Sequence, residues 1–265
     1  NSRGIIRPML IQIPLLSFLA FGITYPLFLW LNVQDPIKNN FHRFHLGCPT
    51  VIAGFAVIWL FVLPVEQGLK NMALLWLAAA LAVNALFWNK EKAHLLTVTL
   101  LSLWGMKLFA VVYATLVRPD AMQTAIGIFA GSIVAGAFYA MNLGHFYLNV
   151  HGLRMDHLKK AVAVLAVLLA LRLAGNAYYL AVEKVMHAGE MKPVWTFINS
   201  LDGFLLWVAV FFGTVFPLGG SYFAFGTLKL KNTQATTGIL YALLSAILLG
   251  DLAYKYYLLK FNVPM

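Results

Sequence analysis

The chain has 265 residues, of which 62% are hydrophobic and 11% are charged. Soluble globular domains carry about 25% charged residues, so this composition, with a mean hydropathy of +0.81, excludes a water-soluble domain. The net charge of +10 is spread over short segments between apolar stretches, which argues against a nucleic-acid interface. Because Cys48 is the only cysteine, the chain forms no internal disulfide and no thiolate-ligated metal cluster.

Eight apolar stretches follow one another along the sequence, each long enough or nearly so to cross about 30 Å of hydrocarbon as a helix. They run approximately over residues 9–31, 49–65, 71–88, 94–117, 121–148, 158–183, 194–227 and 235–259. This pattern predicts an all-α integral membrane protein, a polytopic bundle of about eight transmembrane helices with short loops. We expect it to form one transmembrane domain over residues 1–265.

Three stretches have local features of their own. The first is too long for the apolar region of a signal peptide, so we expect a mature helix. The second is short and is predicted to run over residues 49–65, which places its start at Pro49. In the seventh, Pro217 and the two glycines that follow it predict a kink or an unwound turn.

An even number of spans puts both chain ends on one side of the membrane, here called side A. Side B then holds the segments 32–48, 89–93, 149–157 and 228–234, and together with Lys159 and Lys160 at the start of the sixth span it has nine Lys and Arg residues against eight on side A. Cytoplasmic loops carry an excess of Lys and Arg. We therefore expect a multi-pass protein of a cell inner membrane, with side B in the cytoplasm and both termini on the periplasmic side.

Four charged residues fall inside predicted spans, where each costs roughly 2.5–3.5 kcal/mol on insertion scales. They are Lys107, Arg172, Asp202 and Asp251. All four lie at similar depth in the half of the spans next to side A. Arg172 and Asp202 belong to consecutive antiparallel spans and are therefore the first predicted ion pair, and Asn176 shares the helix face of Arg172.

Two interpretations of these charges stay open. They form a polar pocket that binds the head of a quinone, conducts protons or holds an ion, or they are structural ion pairs that join helices. For Asp251 the structural interpretation has a specific partner, because Lys255 lies four residues later on the same helix face.

Six of the seven histidines lie toward side B. The candidates for contact with a haem or a quinone are His45, His94, His145, Tyr147 and His151. A b-type haem needs two axial histidines at matching depth on different spans, which His45 or His94 together with His145 would supply. The alternative is that these histidines are interfacial anchors, as Tyr and Trp are at membrane surfaces.

The sequence contains no phosphate-binding loop, no zinc-protease motif and no nucleophile elbow, so we assign no catalytic residue and no metal site. We expect a membrane subunit of a multi-subunit respiratory or redox complex. It would interact with quinone or quinol, and with haem in one version, and exchange electrons with partner subunits. The alternatives are a small ion or solute transporter or channel, and a structural or assembly subunit without a site of its own.

Overall fold

The computed structural model describes residues 2–33, 37, 41–117, 121–150 and 152–265. Within these ranges, eight helices are long and apolar enough to cross a membrane, and almost no residues form strands. The predicted fold class, an all-α polytopic membrane bundle, is therefore confirmed. Contacts between residues divide the chain into two compact units, and the division falls inside one helix, between Ala135 and Gly136.

Unit 1 comprises the chain up to Ala135. Its elements are α1 (Ser2–Thr24), a 3₁₀ segment (Tyr25–Asn32) that continues the first span, α2 (Phe41–Val62), α3 (Gln67–Trp88), α4 (Leu95–Val117) and the first half of α5 (Ala121–Asn149). Small residues bring these helices close together. A β-carbon built on Gly22 would lie 2.6 Å from that of Ala53, and one built on Gly131 would lie 2.5 Å from that of Ala20. Such contacts give membrane helices their packing energy, because lipid is as apolar as the side chains.

Unit 2 runs from Gly136 to Met265. After the second half of α5 come α6 (Asp156–Val182), the hairpin strands β1 (Lys184–His187) and β2 (Glu190–Pro193), the short α7 (Val194–Ile198), α8 (Phe204–Val210), a π-helical turn (Phe211–Val215), α9 (Phe216–Lys229) and α10 (Thr233–Phe261). The hairpin turns at Ala188 and Gly189, both with positive φ, as a tight two-residue turn requires.

The second span differs from its expected bounds. It begins at Phe41 rather than Pro49, and Pro49 lies inside helix α2. Proline is tolerated inside a membrane helix because neighbouring helices and side chains satisfy the backbone groups it leaves unbonded. The consequence is that His42 and His45 belong to a span and are both buried.

The seventh stretch is not one helix. Residues 199–203 form a turn between α7 and α8, so the span itself begins at Phe204. The irregularity expected at Pro217 takes the form of the π-helical turn just before it. Because Pro217 has no N–H, the carbonyl of Gly213 loses its usual helical partner, and a wider turn accommodates this.

Candidate functional site

Unit 1 has a partly open cavity of about 580 Å³ at its side B end. It lies between the 3₁₀ end of the first span, the start of α2 and the connection from α3 to α4. Much of its wall is apolar, formed by side chains such as Leu29, Ile37, Phe41, Phe87 and Leu95. The volume lies within the range of about 300–1,000 Å³ that small-molecule and cofactor sites occupy.

His42 is the most deeply buried histidine of this cavity wall, with 5% of its surface exposed. Its Nε2 lies 3.0 Å from the backbone oxygen of Phe87. Since a carbonyl oxygen only accepts, Nε2 carries the hydrogen, and in the neutral ring Nδ1 is then a bare acceptor. This Nδ1 atom is buried and has no hydrogen-bond partner among the described residues. Leaving such an atom unsatisfied costs about 1–3 kcal/mol, which a ligand donor would recover.

The rest of the cavity wall is polar toward its mouth. His94 is exposed at the start of α4, with Nδ1 3.0 Å from the hydroxyl of Thr97. The indole N–H of Trp30 donates to the Thr99 hydroxyl over 2.8 Å, which fixes that ring in the wall. The loop residues Lys90, Glu91 and Lys92 complete it. The cavity therefore combines an apolar interior with a few convergent polar groups.

His45, a candidate for haem or quinone, lies on the same helix but not in the cavity wall. Its Nδ1 is 2.7 Å from the hydroxyl of Tyr25, and its ring stacks on that of Tyr25. Phe41 and Phe44 pack against the other sides of the ring. This enclosure gives His45 the contacts of a structural core residue.

Unit 2 holds a buried polar cluster made by α6, the π-helical turn, α10 and the last residues of the described chain. The guanidinium of Arg172 lies 3.9 Å from the ring centroid of Tyr254, and its Nη2 donates to the backbone oxygen of Met265 over 2.7 Å. Asn176, one turn later, donates to the hydroxyls of Tyr254 and Thr214 over 2.6 and 3.3 Å. Arg172 and Asn176 therefore lie on one face of α6, as predicted, and both contact Tyr254.

The predicted pair of Arg172 with Asp202 is wrong. Asp202 lies in the turn between α7 and α8, outside the spans, with an exposed carboxylate that bonds His187 Nε2 over 2.9 Å. This hydrogen bond from His187 is the main cause that lowers the pKa of Asp202 below its usual value. The error came from treating residues 194–227 as one continuous helix, which placed Asp202 two turns deep.

The local partner expected for Asp251 is confirmed. Lys255 Nζ lies 2.5 Å from Asp251 Oδ1, and both side chains are buried on α10. The pair neutralises itself within one helix turn. It therefore needs no further group to make it tolerable in the membrane.

The other predicted candidates are not brought into a buried site. Lys107 is exposed on α4, and His145 is exposed near the end of α5. Tyr147 is half-buried and donates its hydroxyl to the backbone oxygen of Arg154. His151 lies outside the described residues.

Sequence reasoning found one histidine of the cavity wall, His94, and missed His42 and Trp30. His42 was placed before the second span, because that span was predicted to begin at residue 49. The available signal was the spacing of His42 and His45, which repeats the apolar face of a helix when the span is started at Phe41.

Comparison with known proteins adds no family, since no protein-family model, no curated protein and no solved structure matches the chain.

Proposed function

We propose that this protein is a membrane subunit of a redox complex that binds a quinone or quinol in the cavity of unit 1. The observation that carries the proposal is the buried, unpartnered Nδ1 of His42 in the wall of a largely apolar cavity. A quinol is an apolar ring with two hydroxyl donors, so it satisfies both properties of the cavity at once. Exchange of electrons with partner subunits is part of the same proposal.

The chemistry of His42 suits both redox forms of such a ligand. The bare Nδ1 accepts a hydrogen bond from one quinol hydroxyl and takes its proton when the quinol passes two electrons to the partner subunits, and the proton of the second hydroxyl leaves to water at the mouth of the cavity. The resulting imidazolium donates from Nδ1 to the quinone carbonyl, while Nε2 stays bonded to Phe87. One side chain therefore recognises the ligand before and after proton transfer.

The cavity position agrees with this role. Its mouth lies at the side B ends of the first four spans, where we expect a lipid-soluble ring to enter from the membrane. Lys90 and Lys92 beside it belong to the loops that we assign to the cytoplasm from loop charge. Proton exchange with His42 would then take place on the cytoplasmic side of the inner membrane.

Binding of a short-tailed benzoquinone to the purified protein in lipid nanodiscs tests the proposal. Quinones quench tryptophan fluorescence, and Trp30 lies in the cavity wall. We expect His42→Phe to weaken Kd about tenfold, the loss of one hydrogen bond worth about 1.4 kcal/mol. The matched control His145→Phe, at an exposed histidine of unit 2, should leave Kd within about twofold.

An unchanged Kd in His42→Phe, or an equal loss in His145→Phe, contradicts the proposal. His42→Leu repeats the test without an aromatic ring in place of the imidazole. Thermal unfolding of each variant, measured beside the titration, shows whether the cavity is still folded.

A second candidate, ion or solute transport, draws on the polar cluster of unit 2. Arg172, Asn176, Asp251 and Lys255 are polar side chains buried inside spans, next to a π-helical turn of the kind often found at functional sites. Solute uptake by vesicles containing this protein alone would support transport, whereas a subunit without partners moves nothing. If neither quinone binding nor uptake is found, the structural or assembly role stands.

A further inference from the structure

Lys107 is a charged residue in the middle of a membrane span whose side chain faces outward. It lies on α4, twelve residues after Leu95 and ten before Val117, and it is exposed. The other charged side chains deep inside spans, Arg172, Asp251 and Lys255, are buried and bonded. Lys107 has no hydrogen bond or ion pair among the residues that the structure describes.

The face of α4 around Lys107 is otherwise apolar. Leu96, Leu100, Leu103 and Val111 are exposed on it, at the three- and four-residue spacing of one helix face. Such a face lies against lipid or against another apolar helix. The charge of Lys107 therefore lies in the centre of an exposed face whose four other named side chains are apolar.

Two ordinary ways of relieving this charge do not work here. At 1.5 Å per residue, Lys107 lies about 15 Å or more from either end of α4, which is too far for its side chain to extend into the headgroup region. The phosphates of anionic lipids lie in that same region and are equally distant. An uncompensated lysine at this depth costs roughly 2.5–3.5 kcal/mol.

We propose that this face of α4 binds a transmembrane helix of a partner subunit that carries one carboxylate side chain at mid-depth. The carboxylate pairs with Lys107, and the leucines pack against the rest of the partner helix. Two opposite charges that pair inside the bilayer each remove the cost of the other, which makes the pair specific for depth as well as for charge. This inference names the chemistry of the partner in the subunit role proposed above and rests on that role, but not on quinone binding.

A second copy of this chain is a poor occupant. Among the described residues, Asp251 is the acidic residue deep inside a span, and it is buried and bonded to Lys255. A second copy would therefore bring another lysine to the interface and no carboxylate. Like charges at one depth would oppose the contact.

A model helix provides the test. A synthetic peptide of about 22 Leu and Ala residues with one central Glu spans the bilayer, and a second peptide has Gln in its place. Energy transfer from the tryptophans of the intact protein to a dansyl group on the peptide reports binding in phosphatidylcholine vesicles. We expect the Glu peptide to bind at least tenfold more tightly than the Gln peptide.

Variants of Lys107 assign the effect. Lys107→Met should abolish the preference for Glu, Lys107→Arg should keep it, and Lys159→Met, at an exposed lysine near the start of α6, should leave it unchanged. Equal binding of the two peptides, a preference that survives in Lys107→Met, or self-association that requires Lys107 would overturn the proposal. If the unchanged protein binds quinone normally but does not prefer the Glu peptide, the interface alone is refuted.

Discussion

The two units differ in where their unpartnered buried polar atoms lie. In unit 1, the Nδ1 of His42 is left without a partner in the wall of a cavity. In unit 2, Arg172, Asn176, Asp251 and Lys255 are each bonded within the unit. A buried polar group must be bonded to be tolerated. Among these four side chains, the one buried atom without a partner in the described residues is the Nε of Arg172, whose guanidinium is bonded through Nη2, whereas the bare acceptor of His42 lies in a cavity wall. The difference separates a structural polar cluster from a candidate binding site.

The buried polar cluster of unit 2 also shows why a buried charge alone is a weak sign of function. Asp251 and Lys255 neutralise each other within one turn of α10. Arg172 rests on the Tyr254 ring and a backbone oxygen rather than on an acid. The bonds of each group to its neighbours therefore account for its presence inside a span.

The largest expected effect comes from breaking the buried ion pair of Asp251 with Lys255. Asp251→Asn leaves Lys255 charged and buried without its partner, which should lower the free energy of unfolding by about 3–5 kcal/mol. Thermal and denaturant unfolding in detergent micelles measures this loss. Replacing both residues together, as Asp251→Leu with Lys255→Met, should cost clearly less than the single change.

An exposed pair provides the control for that experiment. Asp156 and Arg154 lie 3.1 Å apart, and both side chains are more than half exposed. Asp156→Asn should cost less than about 1 kcal/mol. If Asp251→Asn and Asp156→Asn lower the free energy of unfolding by similar amounts, the buried pair of Asp251 with Lys255 does not stabilise unit 2 as described.

The smallest expected effect concerns the pair of Asp202 and His187 outside the spans. The pKa of Asp202 is lowered in the folded protein, so the folded state favours its charged form. The resulting stability is present above a pH of about 3.8, the usual value of the group, and is lost as the pH falls through the lowered folded value.

Asp202→Asn checks this sign. At about pH 5 the unchanged protein should melt at a higher temperature than the variant, and the two melting temperatures should converge as the pH falls below 3.8. Subtracting one profile from the other removes the acids common to both. A difference that grows toward acid pH would show that the carboxylate is not favoured by folding.

How far the sequence predicts this molecule depends on the range of the interactions involved. The eight spans follow from runs of apolar residues, and the pair of Asp251 and Lys255 follows from spacing on one helix. Both are local properties. The pairing of Arg172 with Asp202 failed because it depended on the relative depth of two spans, and a turn at residues 199–203 changed that depth.

The cavity was beyond prediction for the same reason. It is formed by the end of the first span, the start of α2 and the α3–α4 connection, which are distant in sequence. The periodicity of apolar residues within one segment does not indicate that three distant segments leave a cavity between them. His94 was noticed as a histidine near a helix start, while His42 needed the correct start of α2.

Photolabelling is the most direct test of the central claim, that the cavity of unit 1 is the quinone site. The protein in nanodiscs is irradiated with an azido-quinone, and the labelled peptides are identified by mass spectrometry. We expect labels in the segments Leu29–Val33, Phe41–His42 and Phe87–Leu96, suppressed by excess unlabelled quinone and reduced in His42→Phe. Competable labelling confined to unit 2, around Arg172 and Asn176, would contradict the account.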